Sequence, residues 1–302
     1  MLKEEGEFER RPTAPRLELE RVPMDPKKFG NEQSPASRSE RVPLQQRMLA
    51  DMEGFILKQD NSECCRCCCC QPEIDWRVYS YREDFSHEDL RDFKTLFFVK
   101  EKSPWCGRAC SYCTPGARPI TYEVFSGTQP VGVPVMTHRK RATNGVNVFL
   151  LATDGGSIRI PCCCNLPYLE TWKGEELQGR TRYLCDEMCC VPKYAVSDAS
   201  GRERYRIRPD TCCLGCCVAC KCDGKNSKCC RIPFYLRDPQ TDVKINNGNV
   251  AIEDRWAGLK AECCTRKNVY ALPFPDDADD PMRNVLLGAA ILVDVTVFEQ
   301  DI

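Results

Sequence analysis

Phe274-Pro275-Asp276-Asp277-Ala278-Asp279-Asp280-Pro281-Met282-Arg283-Asn284-Val285, continued by Leu286 to Glu299, is the stretch that decides the fold. Asp280 reads as an N-cap, and Pro281 suits the first helical position, where no backbone N–H is needed. The run of aspartates complements the positive end of a helix dipole. A helix is therefore expected over about 281–299. From Val285 to Val293 it is apolar on every side, with small Gly288, Ala289 and Ala290 in the middle. Such a helix has to be buried, in protein or in lipid. A bilayer crossing takes roughly 20 apolar residues. This run is shorter, and Asp294 interrupts it. A carboxylate at mid-membrane costs on the order of 2.5–3.5 kcal/mol. Burial inside protein accounts for the helix better, with Gly288, Ala289, Leu292, Asp294 and Phe298 as its marker positions.

Working outward, the sequence from Phe55 onward reads as short strands broken by turns. Arg77–Tyr81, Thr95–Val99, Ile120–Phe125, Val146–Leu151, Ser157–Ile160, Lys193–Val196, Tyr205–Arg208 and Ile232–Leu236 have strand character. Gly155-Gly156, Asp198 to Gly201 and Asn247-Gly248 supply turns. Many strands at modest spacing suggest a meander that closes into a barrel. An internal echo supports this. Phe97–Val99, a cysteine patch and Arg118–Tyr122 are matched by Tyr205–Arg208, a second cysteine patch and Arg231–Tyr235. The expected domain is 51–302, mainly β, with the helix at its centre.

Residues 1–50 are polar, charged and Pro-containing. They lack apolar periodicity and should be an extended arm, ordered only where it lies on a protein partner. The chain has 302 residues, with 43 Lys+Arg against 44 Asp+Glu and a net charge of -1. No global basic excess draws it to nucleic acid or to anionic lipid, so any attraction must be local. His138-Arg139-Lys140-Arg141 is a short basic run that reads as a solvated loop rather than a nucleic-acid contact. No Gly-rich phosphate loop and no paired catalytic constellation stands out, so no bond-making or bond-breaking chemistry is expected.

The 25 cysteines are the unusual feature. A disulfide scaffold fits poorly, because so long a chain needs no staples. The cysteines also stand in adjacent runs, as at Cys162 to Cys164, where a mutual disulfide would be strained. The opening Met1-Leu2-Lys3-Glu4-Glu5 has no apolar core, so no secretory leader is expected and a reducing compartment is. Cys106-x3-Cys110-x2-Cys113, Cys213-x2-Cys216 and Cys217-x2-Cys220 have spacings that suit thiolate ligation of zinc or an iron–sulfur cluster.

Phe274-Pro275, Asp277, Asp279, Met282, Val285, Gly288-Ala289, Leu292-Val293-Asp294 and Phe298-Glu299 together resemble the C-terminal signature of the phospholipid scramblases. Arg255-Trp256-Ala257-Gly258 is similar to the Trp-x-Gly stretch before that signature. Cys162-Cys163-Cys164 with Leu166–Glu170 resembles the family's cysteine cluster and the segment after it. Cys190–Tyr194 and Tyr205–Cys213 fall in the family's order, so the resemblance covers roughly Met52 to Glu299. It implies a closed antiparallel β-barrel of the tubby-like type, about twelve strands around the buried helix.

The resemblance also implies S-palmitoylation, with Cys162, Cys163 and Cys164 as the matching positions and Cys67, Cys68, Cys69 and Cys70 as a second candidate run. Two or more acyl chains would hold the protein stably on a membrane. An EF-hand-like calcium segment before the last helix is implied too. Asp276, Asp277, Asp279 and Asp280 are its candidate ligands, but Thr265, Arg266 and Lys267 stand where acidic residues are expected. Helix capping alone would explain these aspartates. The implied function is bidirectional transbilayer movement of membrane phospholipids at the cytoplasmic face of a membrane. The alternative is a non-catalytic structural or adaptor subunit of a large cytoplasmic assembly, such as a ciliary microtubule or membrane-protein complex, held by its N-terminal arm.

Overall fold

The structure is a computed structural model that describes residues 49–60, 73–86, 88–104, 119–141, 148–151, 157–160, 166–184, 191–212, 217–223, 225, 231–255 and 268–298. All of them belong to the unit Val42–Ile302. In chain order the strands are β1 (Gly54–Gln59), β2 (Asp75–Ser80), β3 (Phe97–Lys102), β4 (Ile120–Ser126), β5 (Met136–Lys140), β6 (Val148–Leu151), β7 (Ser157–Ile160) and β8 (Tyr168–Lys173). They continue as β9 (Glu176–Leu184), β10 (Lys193–Asp198), β11 (Glu203–Arg208), β12 (Thr211–Cys212), β13 (Cys217–Val218), β14 (Phe234–Arg237), β15 (Ala251–Arg255) and β16 (Val269–Pro273). Twelve of them close an antiparallel barrel in which each strand pairs with the next and β16 returns to β1. The pairs β6–β7 and β12–β13 are two-stranded ribbons outside it.

Alternation builds the wall. In β4, Ile120, Tyr122 and Val124 are buried while Thr121 and Glu123 are partly exposed. In β11, Tyr205 and Ile207 point inward and Arg206 and Arg208 outward. The two halves of the sequence echo are adjacent antiparallel pairs, β3–β4 and β11–β14. The strand expectations at 146–151 and 157–160 fall on the β6–β7 ribbon and add nothing to the barrel.

Helix α1 (Asp280–Val293) fills the interior and continues as a π-helical turn over Asp294–Phe298. Val285, Leu286, Leu287, Ile291, Leu292 and Val293 are each 0% exposed and share one core with inward residues such as Phe55, Val99, Tyr122, Val196, Ile207 and Leu272. Burying such a side chain stabilises by roughly 1.5–3 kcal/mol. That is why so apolar a helix sits inside the barrel, as the sequence reading expects.

Two local expectations need correction. The N-cap is Asp279, one residue earlier than expected, and its Oδ1 accepts the Met282 N–H at 3.0 Å. The stretch His138–Lys140 is not a solvated loop. It is the end of β5, with His138 and Lys140 buried and only Arg139 exposed.

Candidate functional site

The acidic run before α1 is tied to the helix start. Asp277 Oδ1 accepts the Tyr205 hydroxyl at 2.8 Å, and its carbonyl accepts Arg204 Nη2 at 3.2 Å. Asp276 Oδ2 accepts Asn246 Nδ2 at 3.4 Å. Asp279 caps the helix and lies 3.7 Å from Arg204. The pairing with Asp277 pushes the Tyr205 phenol further up, after burial, the largest cause. Among the described residues, no group of three or more His, Cys, Asp or Glu side chains is placed to hold a metal ion. Loss of the cap in Asp279→Ala is expected to lower stability by about 1 kcal/mol. The loss should be equal with calcium and with a chelator in urea melts, and a loss seen only with calcium would instead assign Asp279 to an ion.

The interior carries polar groups that the hydrophobic pattern hides. Glu101, Tyr122, His138 and Thr171 stand opposite one another in register across β3, β4, β5 and β8, each 0% exposed. Glu101 accepts the Ile74 N–H at 3.0 Å and the Ser103 hydroxyl at 2.6 Å. His138 Nδ1 and Thr171 Oγ1 are 3.0 Å apart. Burial pushes the His138 imidazole down to about 3, so at neutral pH it is uncharged. At the end of α1, Asp294 Oδ1 accepts Tyr270 Oη at 2.6 Å and Asn268 Nδ2 at 2.9 Å. Tyr194 Oη meets Thr296 Oγ1 at 2.5 Å. These bonds fix how far α1 is inserted and how it is turned. Gly288 lies where the helix approaches the wall, and Ala289, Leu292 and Asp294 are buried.

The strand order sorts the cysteines. In an up-and-down barrel alternate connections start and finish at the same end. Six connections leave one end: 60–74, 103–119, 141–167, 185–192, 209–233 and 256–268. All 25 cysteines fall within these six stretches of sequence. The connections at the other end, and the barrel strands themselves, carry none. Of these residues Cys212, Cys217, Cys220 and Cys222 are described, each exposed and none in a disulfide. Cys212 and Cys217 face each other across β12–β13. The acylation candidates Cys67 to Cys70 and Cys162 to Cys164, the thiolate candidates Cys106, Cys110, Cys113, Cys213 and Cys216, and the arm up to residue 48 lie outside the described residues.

The outer wall is charged. Lys102, Arg139, Arg180 and Arg182 are exposed on it. A membrane-spanning barrel presents an apolar band there instead. Among the described residues no helix is long and apolar enough to cross a membrane. With α1 packed inside, the described barrel offers no lumen for a lipid.

Comparison with known proteins bears on the family of the sequence. The Scramblase family model matches residues 97–300. The chain is 23% identical over 206 residues to phospholipid scramblase 1 of Rattus norvegicus, covering 68% of this chain and 50% of that protein. It is 27% identical over 206 residues to phospholipid scramblase 2 of Bos taurus, covering 68% and 57%. With phospholipid scramblase 2 of Homo sapiens it shares 21% over 226 residues, covering 74% and 63%. The chain thus spans about half to under two thirds of the length of these relatives. No solved structure gives a significant match. The family model begins at β3, yet β1 and β2 close the same barrel, so the fold extends beyond the matched residues. A closed barrel, a buried C-terminal helix and a match over two thirds of the sequence lead to one conclusion: the chain belongs to the scramblase family.

Proposed function

We propose that this protein works at the cytoplasmic face of a membrane, docked by its cysteine-bearing end, and that it promotes bidirectional movement of phospholipid between the leaflets. The observation that carries the reading is the confinement of all 25 cysteines to the connections of one barrel end. Thioester-linked acyl chains on Cys162 to Cys164, and on Cys67 to Cys70, would then all enter the bilayer from one side. Each buried methylene contributes about 0.8 kcal/mol, so two chains hold where one does not. Because the helix occupies the interior, head groups would pass along the outside of the barrel rather than through it.

The test is acyl exchange and membrane flotation of the full chain expressed in a eukaryotic host. Two or more hydroxylamine-sensitive acyl groups are expected, with release from the membrane when they are cleaved. Replacing Cys162 to Cys164 and Cys67 to Cys70 by serine should have the same effect. An unacylated chain that stays in the soluble fraction would sink the docking reading. The acylated protein in liposomes should then speed exchange of a fluorescent phospholipid, and a rate equal to that of protein-free liposomes would remove the translocation step.

A further inference from the structure

The outer wall beside the cysteine-bearing end carries a concentration of arginines. Arg139 of β5 stands opposite Glu170 of β8, which stands opposite Arg180 of β9. One step along, the Arg141 N–H reaches the Tyr168 carbonyl at 3.4 Å, and Tyr168 stands opposite Arg182. The same row continues through Ala195 of β10 to Arg206 of β11 and Arg237 of β14. Arg208 follows on β11, on the same face.

Four carboxylates oppose these seven arginines. Glu170 is shared between Arg141 and Arg180, each at 3.2 Å. Glu203 pairs with Arg206 at 2.7 Å, and Asp242 pairs with Arg208. Asp210 meets Arg237 at 2.8 Å but also Lys244 and Lys221, so it is spent on other cations. The face keeps a positive excess although the whole chain carries -1. Arg141 and Arg180 remain 55% and 54% exposed. A cleft of about 330 Å³ opens in the same wall, lined by Lys193, Arg206 and Arg208 with Asp242 as its one carboxylate.

We propose that this arginine face is where the protein meets the phosphate groups of an anionic phospholipid surface. The assignment rests on the membrane reading above and adds the orientation: the cysteine-bearing end and the wall that adjoins it address the bilayer together. Continuity with that end favours a membrane over a soluble polyanion. Arg141 is the first residue after β5, β9 ends at Leu184 two residues past Arg182, and β11 ends at Arg208. Each basic residue near an anionic leaflet contributes about 1 kcal/mol, and the attraction fades within a Debye length.

The experiment uses unacylated full-length protein, so that acyl chains cannot hold it, and sedimentation with vesicles of phosphatidylcholine alone or mixed with phosphatidylserine. Binding is expected only to the mixed vesicles, weakening as salt rises from about 0.05 to 0.3 M. Arg182→Glu with Arg206→Glu should reduce it on the order of thirtyfold. Arg91→Glu with Lys94→Glu, the same charge change at the opposite end, should leave it near the unmodified value. Both variants alter exposed or half-exposed groups, and unchanged melting temperatures would show that they fold. Equal binding to neutral vesicles, equal loss in both double variants, or tighter binding to single-stranded RNA at equal phosphate concentration would each overturn the proposal. Acyl-dependent flotation in cells, measured separately, would survive that failure and so distinguishes it from failure of the membrane reading.

Discussion

Replacing Gly288 with leucine is expected to destabilise the domain by more than about 4 kcal/mol, a large share of the roughly 5–15 kcal/mol that holds an ordinary domain folded. A Cβ at position 288 would lie 2.8 Å from His138 Nδ1, 2.8 Å from Leu169 Cδ2 and 3.0 Å from Thr171 Oγ1. All three side chains are 0% exposed and held by neighbouring strands, so none can swing away into solvent. A second close approach lies beside it, where Gly179 of β9 admits Val285 of the helix. Gly288→Ala tests the contact more gently. Overpacking costs on the order of 1–3 kcal/mol, while alanine regains about 1 kcal/mol of helix propensity. The alanine variant should therefore melt cooperatively at a lower urea midpoint, and the leucine variant at a far lower one, with its native baseline shortened or lost. A leucine variant with the unmodified midpoint would mean that the helix does not approach β5 and β8 at this position.

The same neighbourhood shows why the sequence yields the helix readily and some strands poorly. The helix is legible because burial on all sides leaves it no polar face, and a proline and aspartates mark its start. The one-residue error at the cap arises because Asp279 and Asp280 are equally capable caps and proline is tolerated throughout the first turn. β5 and β9 are obscure because their inward positions are polar or small: His138 and Lys140 in one, Gln178, Gly179 and Thr181 in the other. The period-2 signal needs apolar residues on the inside, and here close helix packing and buried hydrogen bonds replace them. The cysteine spacings are readable locally, and they suggest ligands or acylation sites run by run. That the runs share one barrel end follows only from strand order. The arginine face is more hidden still, since Arg139 and Arg237 are almost a hundred residues apart and only the register brings them onto one wall.

Acidification from pH 7 is expected to weaken the fold through His138, by roughly 3–6 kcal/mol once the pH reaches about 3. The unfolded imidazole has its ordinary value of 6.5, and burial lowers the folded one to about 3. Below pH 6.5 the unfolded chain takes up a proton that the folded chain refuses, so stability falls steadily until the folded group titrates as well. Asp75 acts in the opposite sense. Its carboxyl is raised to about 6, chiefly by burial and against the nearby Lys100, so its folded form prefers the proton. Stability from Asp75 is present below the unfolded value of 3.8 and is lost as pH rises through about 6. Asp75 is only half-buried, so solvent screening reduces its effect. His138 is wholly enclosed and should dominate. Two variants separate the groups in urea melts across this range. His138→Leu should remove most of the decline on acidification, and Asp75→Asn should steepen it by removing the opposing contribution. An unchanged decline in His138→Leu would mean that the imidazole is reached by water or by a partner that keeps its proton, and the row from Glu101 to Thr171 would then be hydrated rather than dry.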